Sequence, residues 1–217
     1  MSRSKSKGIQ SQGRSGRPNA DASVDVRATI LEVAEAQFAS QGYAATPIRE
    51  IARAAGVNAA MVHYYFGNKE SLLKAVLERA LEPLARAIEA MKSAGSVSPD
   101  KVIRTLMATV AQHPRLPYLV LREVMLPGGV MQAHFARHLA PRLGGALPGI
   151  VKHEQANGRI RQDVQPATGA LVIMSLAIFP FIVRPVAEQA LDLDLHGEAL
   201  ESFREQVSAI VQRGFAP

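Results

Sequence analysis

The feature that most constrains the fold is a pair of short helical segments separated by a glycine turn within residues 46–68. Apolar residues recur at three- and four-residue spacing over residues 48–55, and Gly56 then provides a helix stop. Asn58 is a favoured N-cap residue, and it predicts a second helix over residues 59–66. Two short helices joined in this way form a helix-turn-helix, whose second helix typically lies in the major groove of DNA.

Helical patterns flank this pair on both sides. Apolar residues from Val26 to Phe38 predict a first helix that ends at Gly42. Thr46 before Pro47 predicts the start of the second helix, with threonine as the N-cap and proline as the first helical residue.

A long fourth helix is predicted from Lys69 to about Met91, starting at Asn68. Pro83 lies inside it and predicts a kink, because proline removes a backbone hydrogen bond. Alternating polar and apolar residues between hairpin turns are absent, so the predicted fold class is all-α. Further helices are predicted over residues 100–113, 116–126, 131–139, 141–156, 166–190 and 198–214.

The composition bounds the classes of function. The 217-residue chain has no cysteine, which excludes disulfides and thiolate metal sites. Its formal net charge of +6 is compatible with a nucleic-acid partner. No secretory signal is expected, and residues 167–183 fall short of the roughly 20 apolar residues of a membrane span. We expect a cytoplasmic protein with no membrane partner, in which residues 167–183 are buried in a helical core or dimer interface.

Residues 1–24 are predicted to form a disordered basic arm. They contain five basic residues and one acid, with almost no apolar side chains. A solvated tail explains this composition. The alternative is an arm that enters the minor groove of DNA, because Arg17 lies between Gly16 and Pro18.

The stretch TPIREIARAAGVNAAMVHYYFGNKESLL, residues 46–73, resembles the DNA-binding signature of the TetR family of bacterial transcriptional regulators (TetR/AcrR-like). The resemblance extends through VRATILEVAEAQFASQGY, residues 26–43, and GRIRQDVQP, residues 158–166, resembles an element before a late helix. It implies an N-terminal three-helix helix-turn-helix DNA-binding domain, joined by a long helix to a C-terminal helical ligand-binding and dimerisation domain. The expected bounds are 1–24 for the arm, 25–70 for the helix-turn-helix domain and 71–217 for the regulatory domain.

The resemblance also implies DNA contacts, residue by residue. Thr46 would contact a phosphate, and Arg49 would reach a base or the backbone. Tyr64 or Tyr65 would clamp phosphates together with Lys69, although adjacent tyrosines also serve as half-buried packing residues. The expected DNA-binding residues are Thr46, Arg49, Asn58, Ala59, Ala60, Met61, His63, Tyr64, Tyr65 and Lys69.

The start of the recognition helix predicts how bases are read. Residues 59–61 (Ala-Ala-Met) offer no side-chain hydrogen bond, so we expect apolar contacts with thymine methyl groups and recognition of DNA shape. Arg49 is then the main candidate for a guanine contact.

His63 stands where the family often has an aromatic residue, and Asn58 stands where Ser or Thr is frequent. An imidazole can still bind a phosphate, and asparagine caps a helix equally well.

The resemblance implies a homodimer whose second domain binds a small molecule. Helices over residues 167–183 and 198–212 would pair with their symmetry mates in a four-helix interface. Arg122-Glu123 would either anchor a polar ligand or bridge helices. The expected effector is apolar or amphipathic. Its candidate contacts, all of which also fit a plain core role, are Tyr118, Leu121, Arg122, Met125, Phe135, Met174 and Ile178, with Leu116 and Met131 as further candidates.

No cofactor, no metal and no enzymatic activity are expected. The chain has no Walker loop, no nucleophile elbow, no zinc-protease motif and no EF-hand spacing. His134 and His138 have a spacing that suits two metal ligands, with His153 or Glu154 as a third. A surface or packing role is the simpler interpretation of that pair.

Two functions remain as hypotheses. The first is a homodimeric repressor that a small-molecule ligand releases from a palindromic operator. The second is a DNA-binding interaction or architectural protein of the same fold, controlled by a protein partner or without a ligand. A packed second domain without a pocket would favour the second function.

Overall fold

The computed structural model describes residues 20–95 and 98–217, with side chains described from residue 25 onward. Within these ranges all regular structure is helical, which confirms the all-α prediction. The helices are α1 (Ala20–Gln41), α2 (Ile48–Ala54), α3 (Ala59–Phe66), α4 (Lys69–Ser93), α5 (Pro99–Ala111), α6 (Leu116–Val120) with a π-helical turn (Leu121–Met125), α7 (Gln132–His134) with a second π-helical turn (Phe135–Leu139), α8 (Ala140–Leu143), α9 (Leu147–Ala156), α10 (Pro166–Ala190) and α11 (Gly197–Phe215).

The N-terminal head consists of α1, α2 and α3 packed against one another and against α4. Asn58 and Asn68 cap α3 and α4, because their side-chain oxygens accept hydrogen bonds from the amides of Met61 at 2.9 Å and Ser71 at 2.8 Å. Gly56 follows α2 with a φ of +68°, a conformation that favours glycine. The predicted bounds of α3, its cap and the glycine stop are therefore confirmed.

An apolar core fixes the orientation of α3 in the head. Val62 and Phe66 lie four residues apart on one face of α3 and are buried, as predicted. They belong to the same core as Ile30, Phe38 and Ile51. This packing turns the opposite face of α3 toward solvent.

The start of α2 differs from the prediction. Its N-cap is Pro47, which makes no side-chain capping bond, so the predicted Thr46 cap is wrong. Thr46 is instead fully buried, and its hydroxyl donates to the carbonyl oxygen of Gly42 at 2.7 Å. Gly42 has a φ of +85°, and the tight turn that this conformation permits draws the threonine inward, away from the helix end.

The start of α1 also differs from the prediction. The helix begins at Ala20, so residues 20–24, assigned from the sequence to the disordered arm, are helical. The rest of the predicted arm, including Arg17, lies outside the described residues.

The C-terminal body is arranged around α5. Helices α4, α10 and α11 all pack against α5, and α10 also packs against α9. The long helix α4 continues from the head into the body, as predicted, and Pro83 lies inside it. The kink at Pro83 stays a prediction.

One helix prediction in the body is wrong. The segment 141–156 does not form a single helix, because α8 and α9 divide it. Gly144 and Gly145 lie between them, and glycine weakens a helix because its backbone loses the most freedom on folding. The break predicted after residue 139 is absent, and the chain stays helical from α7 to the end of α8.

Helix α10 has one buried and one exposed apolar face. By length and composition alone it could cross a membrane. Ile173, Ala177 and Phe181 are buried in the core, so the predicted burial of this segment holds for that face. The opposite face exposes large apolar side chains, which are Leu171, Val172, Phe179 and Val186.

Candidate DNA-binding surface and apolar cavity

The outward face of α3 combines a small apolar patch with polar aromatic side chains. Ala60 is exposed at the start of the helix, beside the half-buried Ala59 and Met61. His63 and Tyr64 are exposed in the next turn, and Tyr64 has 83% of its surface accessible. A tyrosine this open can place its hydroxyl against a phosphate oxygen.

The two adjacent tyrosines of α3 have different environments. Tyr65 is half-buried against the core, and its ring centroid lies 6.4 Å from that of Phe66. Tyr64 packs edge to face on Tyr65 at 5.2 Å and is otherwise open to solvent. The choice between the two predicted phosphate contacts therefore favours Tyr64, with Tyr65 as the ring that supports it.

His63 makes a hydrogen bond that limits its protonation states. Its Nδ1 lies 2.8 Å from the carbonyl oxygen of Gly67. Because a carbonyl only accepts, Nδ1 must carry the proton, and a neutral ring then offers only an acceptor at Nε2. A phosphate contact through Nε2 therefore requires the charged imidazolium.

Lys69, the first residue of α4, is held beside the turn between α1 and α2. Its Nζ lies 4.3 Å from the ring centroid of Tyr43 and 3.5 Å from the carbonyl oxygen of Ala44. Burial lowers the pKa of Lys69 below its ordinary value, and the negative charge of Glu123 opposes that shift. These contacts fix the ammonium group beside the turn that precedes α2, at the N-terminal end of α4.

The remaining predicted DNA contacts differ in their accessibility. Arg49 and Arg53, both on α2, are exposed. The side-chain oxygen of Asn58 is occupied by the amide of Met61. Thr46 is buried, so a phosphate contact through its hydroxyl would require the bond to Gly42 to break.

The body contains an apolar cavity of about 170 Å³. It lies between α4, α5, α6, α10 and residues 135–144, and none of its 15 lining residues has a charged or hydrogen-bonding side chain. A charged group placed there would lose its hydration without gaining a partner. The lining residues are Leu81, Leu84, Val110, Leu116, Pro117, Val120, Leu121, Met125, Phe135, Ala140, Leu143, Gly144, Met174, Ile178 and Ile182.

The π-helical turn after α6 lines this cavity and also contacts the head. Leu121 and Met125 belong to the cavity wall. Between them, the guanidinium of Arg122 donates to the carbonyl oxygens of Ala39 and Ser40 at the end of α1. The sequence left two roles for Arg122-Glu123, which were anchoring a polar ligand and bridging helices. The structure supports the bridging role for Arg122.

Glu123 completes this contact. Only 5% of its surface is exposed, and its Oε1 accepts a hydrogen bond of 2.8 Å from the backbone N–H of Tyr43. The pKa of the Tyr43 phenol is raised by burial, then by the charge of Glu70, then by that of Glu123. Arg122 and Glu123 therefore connect the cavity wall to α1 and to the turn that follows it.

Comparison with known proteins identifies the architecture. The family model described as the tetracyclin repressor-like C-terminal domain matches residues 99–211, and the model for bacterial regulatory proteins of the tetR family matches residues 30–76. The chain belongs to the tetR family. The resemblance noted in the sequence is thereby confirmed, together with the predicted pairing of a helix-turn-helix domain and a C-terminal helical domain.

Two of its relatives in the family are named repressors. The HTH-type transcriptional repressor NicS of Pseudomonas putida is 29% identical over 174 residues, covering 78% of this chain and 82% of NicS. The HTH-type transcriptional repressor SCO4008 of Streptomyces coelicolor is 33% identical over 135 residues, covering 58% of this chain and 67% of that protein.

Solved structures agree in fold. The ketosteroid transcriptional regulator KstR2 of Mycobacterium tuberculosis has a TM-score of 0.66 at 18% identity, covering 88% of this chain and 95% of KstR2. SmeT, the repressor of a Stenotrophomonas maltophilia multidrug efflux pump, also has a TM-score of 0.66 at 18% identity, covering 89% of this chain and 93% of SmeT. At this identity the likeness shows the fold alone.

TetR-family membership makes the chain a DNA-binding helix-turn-helix regulator of transcription. Regulators of this family are soluble cytoplasmic proteins and are not enzymes. The apolar helix α10 packs against α5 and α9 in the regulatory body, and a single helix of this kind is weak evidence for a membrane span.

The predicted ligand contacts are brought together only in part. Leu116, Leu121, Met125, Phe135, Met174 and Ile178 line the cavity, whereas Tyr118, Arg122 and Met131 do not. The binding role of the lining residues stays a prediction.

Sequence reasoning missed nine lining residues, because an apolar cavity wall has the same residue types and spacing as a solid core. They are Leu81, Leu84, Val110, Pro117, Val120, Ala140, Leu143, Gly144 and Ile182.

The histidine pair at the end of α7 lies apart from the third ligands considered for it. The rings of His134 and His138 are 4.9 Å apart, and Nε2 of His134 lies 3.5 Å from Oε1 of Glu78. Glu154 is fully buried and pairs with Arg159. Among the described residues, these histidines join no group of three potential metal ligands.

Proposed function

We propose that this regulator is a homodimeric repressor that leaves a palindromic operator when a neutral, apolar small molecule enters the cavity. The observation that carries the proposal is that one segment, Leu121–Met125, lines the cavity and also holds the DNA-binding head. A ligand that displaces Leu121 or Met125 moves the turn that carries Arg122 and Glu123. The names of the relatives NicS and SCO4008 support repression as the direction of control.

DNA binding is assigned to the exposed face of α3 and its neighbours. Residues 59–61 enter the major groove, where small apolar side chains contact thymine methyl groups and sense groove shape. Tyr64 and Lys69 bind phosphates on the groove walls, and Arg49 reaches a base or the backbone. His63 adds a phosphate contact when its ring is charged.

The chemistry of the cavity wall defines the effector class. Every lining side chain is apolar, so an ionised carboxylate or ammonium group would be desolvated without compensation. A cavity of about 170 Å³ holds a small aromatic or short aliphatic molecule. Met125 and Met174 in the wall are flexible side chains that can adapt the cavity to a larger ligand.

Helix α4 provides a second connection between cavity and head. It starts at Lys69 beside the DNA-binding face and places Leu81 and Leu84 in the cavity wall. Fifteen residues of helix span about 22 Å, so one continuous helix joins the two sites. We propose Pro83 as the position where this helix bends, and an unchanged ligand response in Pro83→Ala would exclude that role. A coupling free energy of about 1–3 kcal/mol is enough for control.

The exposed stripe of α10 supports dimerisation. Val172, Phe179 and Val186 are seven residues apart, so they lie on one side of the helix, and all three are exposed. A second copy of this chain would cover the stripe and place two heads about 34–36 Å apart, the spacing of successive major-groove sites. Ile210, 65% exposed on α11, would add to this interface.

The experiment that tests DNA binding compares two duplexes. One carries the DNA immediately upstream of the gene for this protein and the other carries the same bases in scrambled order. We expect saturable preference for the upstream duplex, with affinity that falls steeply as salt rises because several phosphate contacts release counterions. Equal, weak binding to both would contradict an operator at this position and favour an architectural role.

A further inference from the structure

The end of α10 and the start of α11 bring together three side chains of the types that bind metal ions. One potential ligand atom from each of Glu188, Asp194 and His196 lies within 4.8 Å of the other two. His196 is the N-cap residue of α11, and Glu188 lies in the last turn of α10. None of the three lines the cavity or lies in the head.

The distances between these atoms fit a shared ion. Nδ1 of His196 lies 3.1 Å from Oδ1 of Asp194 and 3.3 Å from Oε1 of Glu188. A tetrahedral zinc ion with bonds of about 2.0–2.2 Å holds its ligand atoms roughly 3.3–3.6 Å apart. An imidazole Nδ1–H points in one direction, so it satisfies one of these two oxygens and leaves the other without that donor.

Glu188 is the group that most needs a cation. Its Oε1 is shielded from solvent and accepts no hydrogen bond. The nearest other positive group is Arg184, whose Nε lies 3.9 Å away, beyond hydrogen-bonding distance. A shielded carboxylate oxygen that accepts no hydrogen bond is costly even with ion-pair neighbours, and a cation bound to it would lower that cost.

Asp194 is already oriented toward the same point. Its Oδ1 accepts a hydrogen bond of 2.9 Å from the backbone N–H of His196. The carboxylate and the imidazole are therefore held next to each other by the loop that follows α10, and only small adjustments would be needed for both to contact one ion.

We infer that Glu188, Asp194 and His196 bind one divalent transition-metal ion, for which zinc is the best match, with water completing the coordination. One imidazole nitrogen and two carboxylate oxygens are ligands that zinc accepts. The ion would join the last turn of α10 to the N-cap residue of α11 and so fix the loop between them. Glu188 follows Val186 by two residues, so the ion would hold the last turn of α10, where the exposed stripe ends.

The test is calorimetric titration of zinc into full-length, tag-free protein that has been treated with EDTA, without DNA. We expect one zinc ion per chain. His196→Ala and Asp194→Asn should each weaken binding at least about tenfold, since even residues that only support metal ligands cost that much. His153→Ala, which removes an exposed histidine on α9, is the matched control and should bind zinc as the wild type does.

Two results would overturn the inference. The first is no binding by the wild type, when circular dichroism shows that it is folded. The second is zinc binding by His196→Ala with wild-type affinity, above all if His138→Ala loses it, because the site would then lie at the histidine pair of α7. Visible absorption of bound cobalt, recorded on the same variants, would locate the site by a method that does not depend on heats of binding. Because no DNA is present, failure here leaves the proposed operator binding untouched.

Discussion

Glu123 shows how one buried carboxylate can serve both the fold and its control. It is almost fully buried, and it satisfies the backbone N–H of Tyr43 in the turn that precedes α2. Its charge also acts on Lys69, the cation proposed to bind a DNA phosphate. Gly42 fits this arrangement, because its φ of +85° is a conformation that favours glycine.

The first prediction concerns this carboxylate. Glu123→Ala should lower the free energy of unfolding by about 1–3 kcal/mol, because the Tyr43 amide loses its acceptor in a buried position. Glu123→Gln should lower the free energy of unfolding by less, since its amide oxygen can still accept that hydrogen bond. Urea denaturation of both variants provides the measurement. Equal stability of Glu123→Ala and wild type would show that the Tyr43 contact contributes nothing.

Individual residues also show what could be predicted from the sequence. Asn58 as a cap and Val62 and Phe66 as a buried pair follow from local rules of helix geometry, and all three are confirmed. Thr46 was misassigned because its partner, the carbonyl of Gly42, becomes available only in a turn of positive φ. The sequence could not show that Tyr64 is exposed and Tyr65 half-buried, because that difference depends on the core against which Tyr65 packs.

Among the elements, the π-helical turn Leu121–Met125 matters most for function. Its side chains serve two surfaces, because Leu121 and Met125 line the cavity while Arg122 and Glu123 bond to the head. π-helical turns occur frequently at functional sites. No residue pattern in the sequence distinguished this turn from ordinary helix, so the predicted element was a single helix over residues 116–126.

The second prediction tests the cavity through α10. Ile178→Trp should fill the space and reduce binding of the neutral dye 1-aminoanthracene, a larger ligand that needs Met125 and Met174 to move aside, at least about tenfold, or about 1.4 kcal/mol. Leu191→Trp, an exposed position just after α10, is the matched control. Dye fluorescence gives the affinity, and thermal unfolding checks for the cost of about 1–3 kcal/mol that overpacking can impose. Equal dye binding by a folded Ile178→Trp variant would place the dye outside the cavity.

At the scale of the whole molecule, the exposed apolar face of α10 points to a partner. Large contiguous apolar surfaces are uncommon on monomers, and here they lie on the side of α10 opposite the packed core. The sequence predicted this helix and its apolar character. It did not show which side chains would be exposed, because that depends on where α5 and α9 pack.

The third prediction is that Phe179→Asp converts the proposed dimer into a monomer. A carboxylate in the middle of the proposed interface would be desolvated against apolar side chains, which is strongly unfavourable. Val130→Asp, an exposed apolar residue in the loop before α7, should leave the oligomeric state unchanged. Sedimentation equilibrium distinguishes the two outcomes. A dimeric Phe179→Asp variant would mean that the copies meet through another surface.

The central claim is that the exposed face of α3 enters DNA, and a matched pair of alanine substitutions tests it most directly. Ala60 and Ala90 are both exposed in helices, but only Ala60 lies on the proposed DNA-binding face. The measurement is equilibrium binding of Ala60→Glu, Ala90→Glu and wild type to the upstream duplex at fixed salt. We predict that Ala60→Glu, which places a negative charge against the groove, loses at least about tenfold in affinity, or about 1.4 kcal/mol, while Ala90→Glu matches the wild type. Wild-type affinity in a folded Ala60→Glu variant would contradict the account.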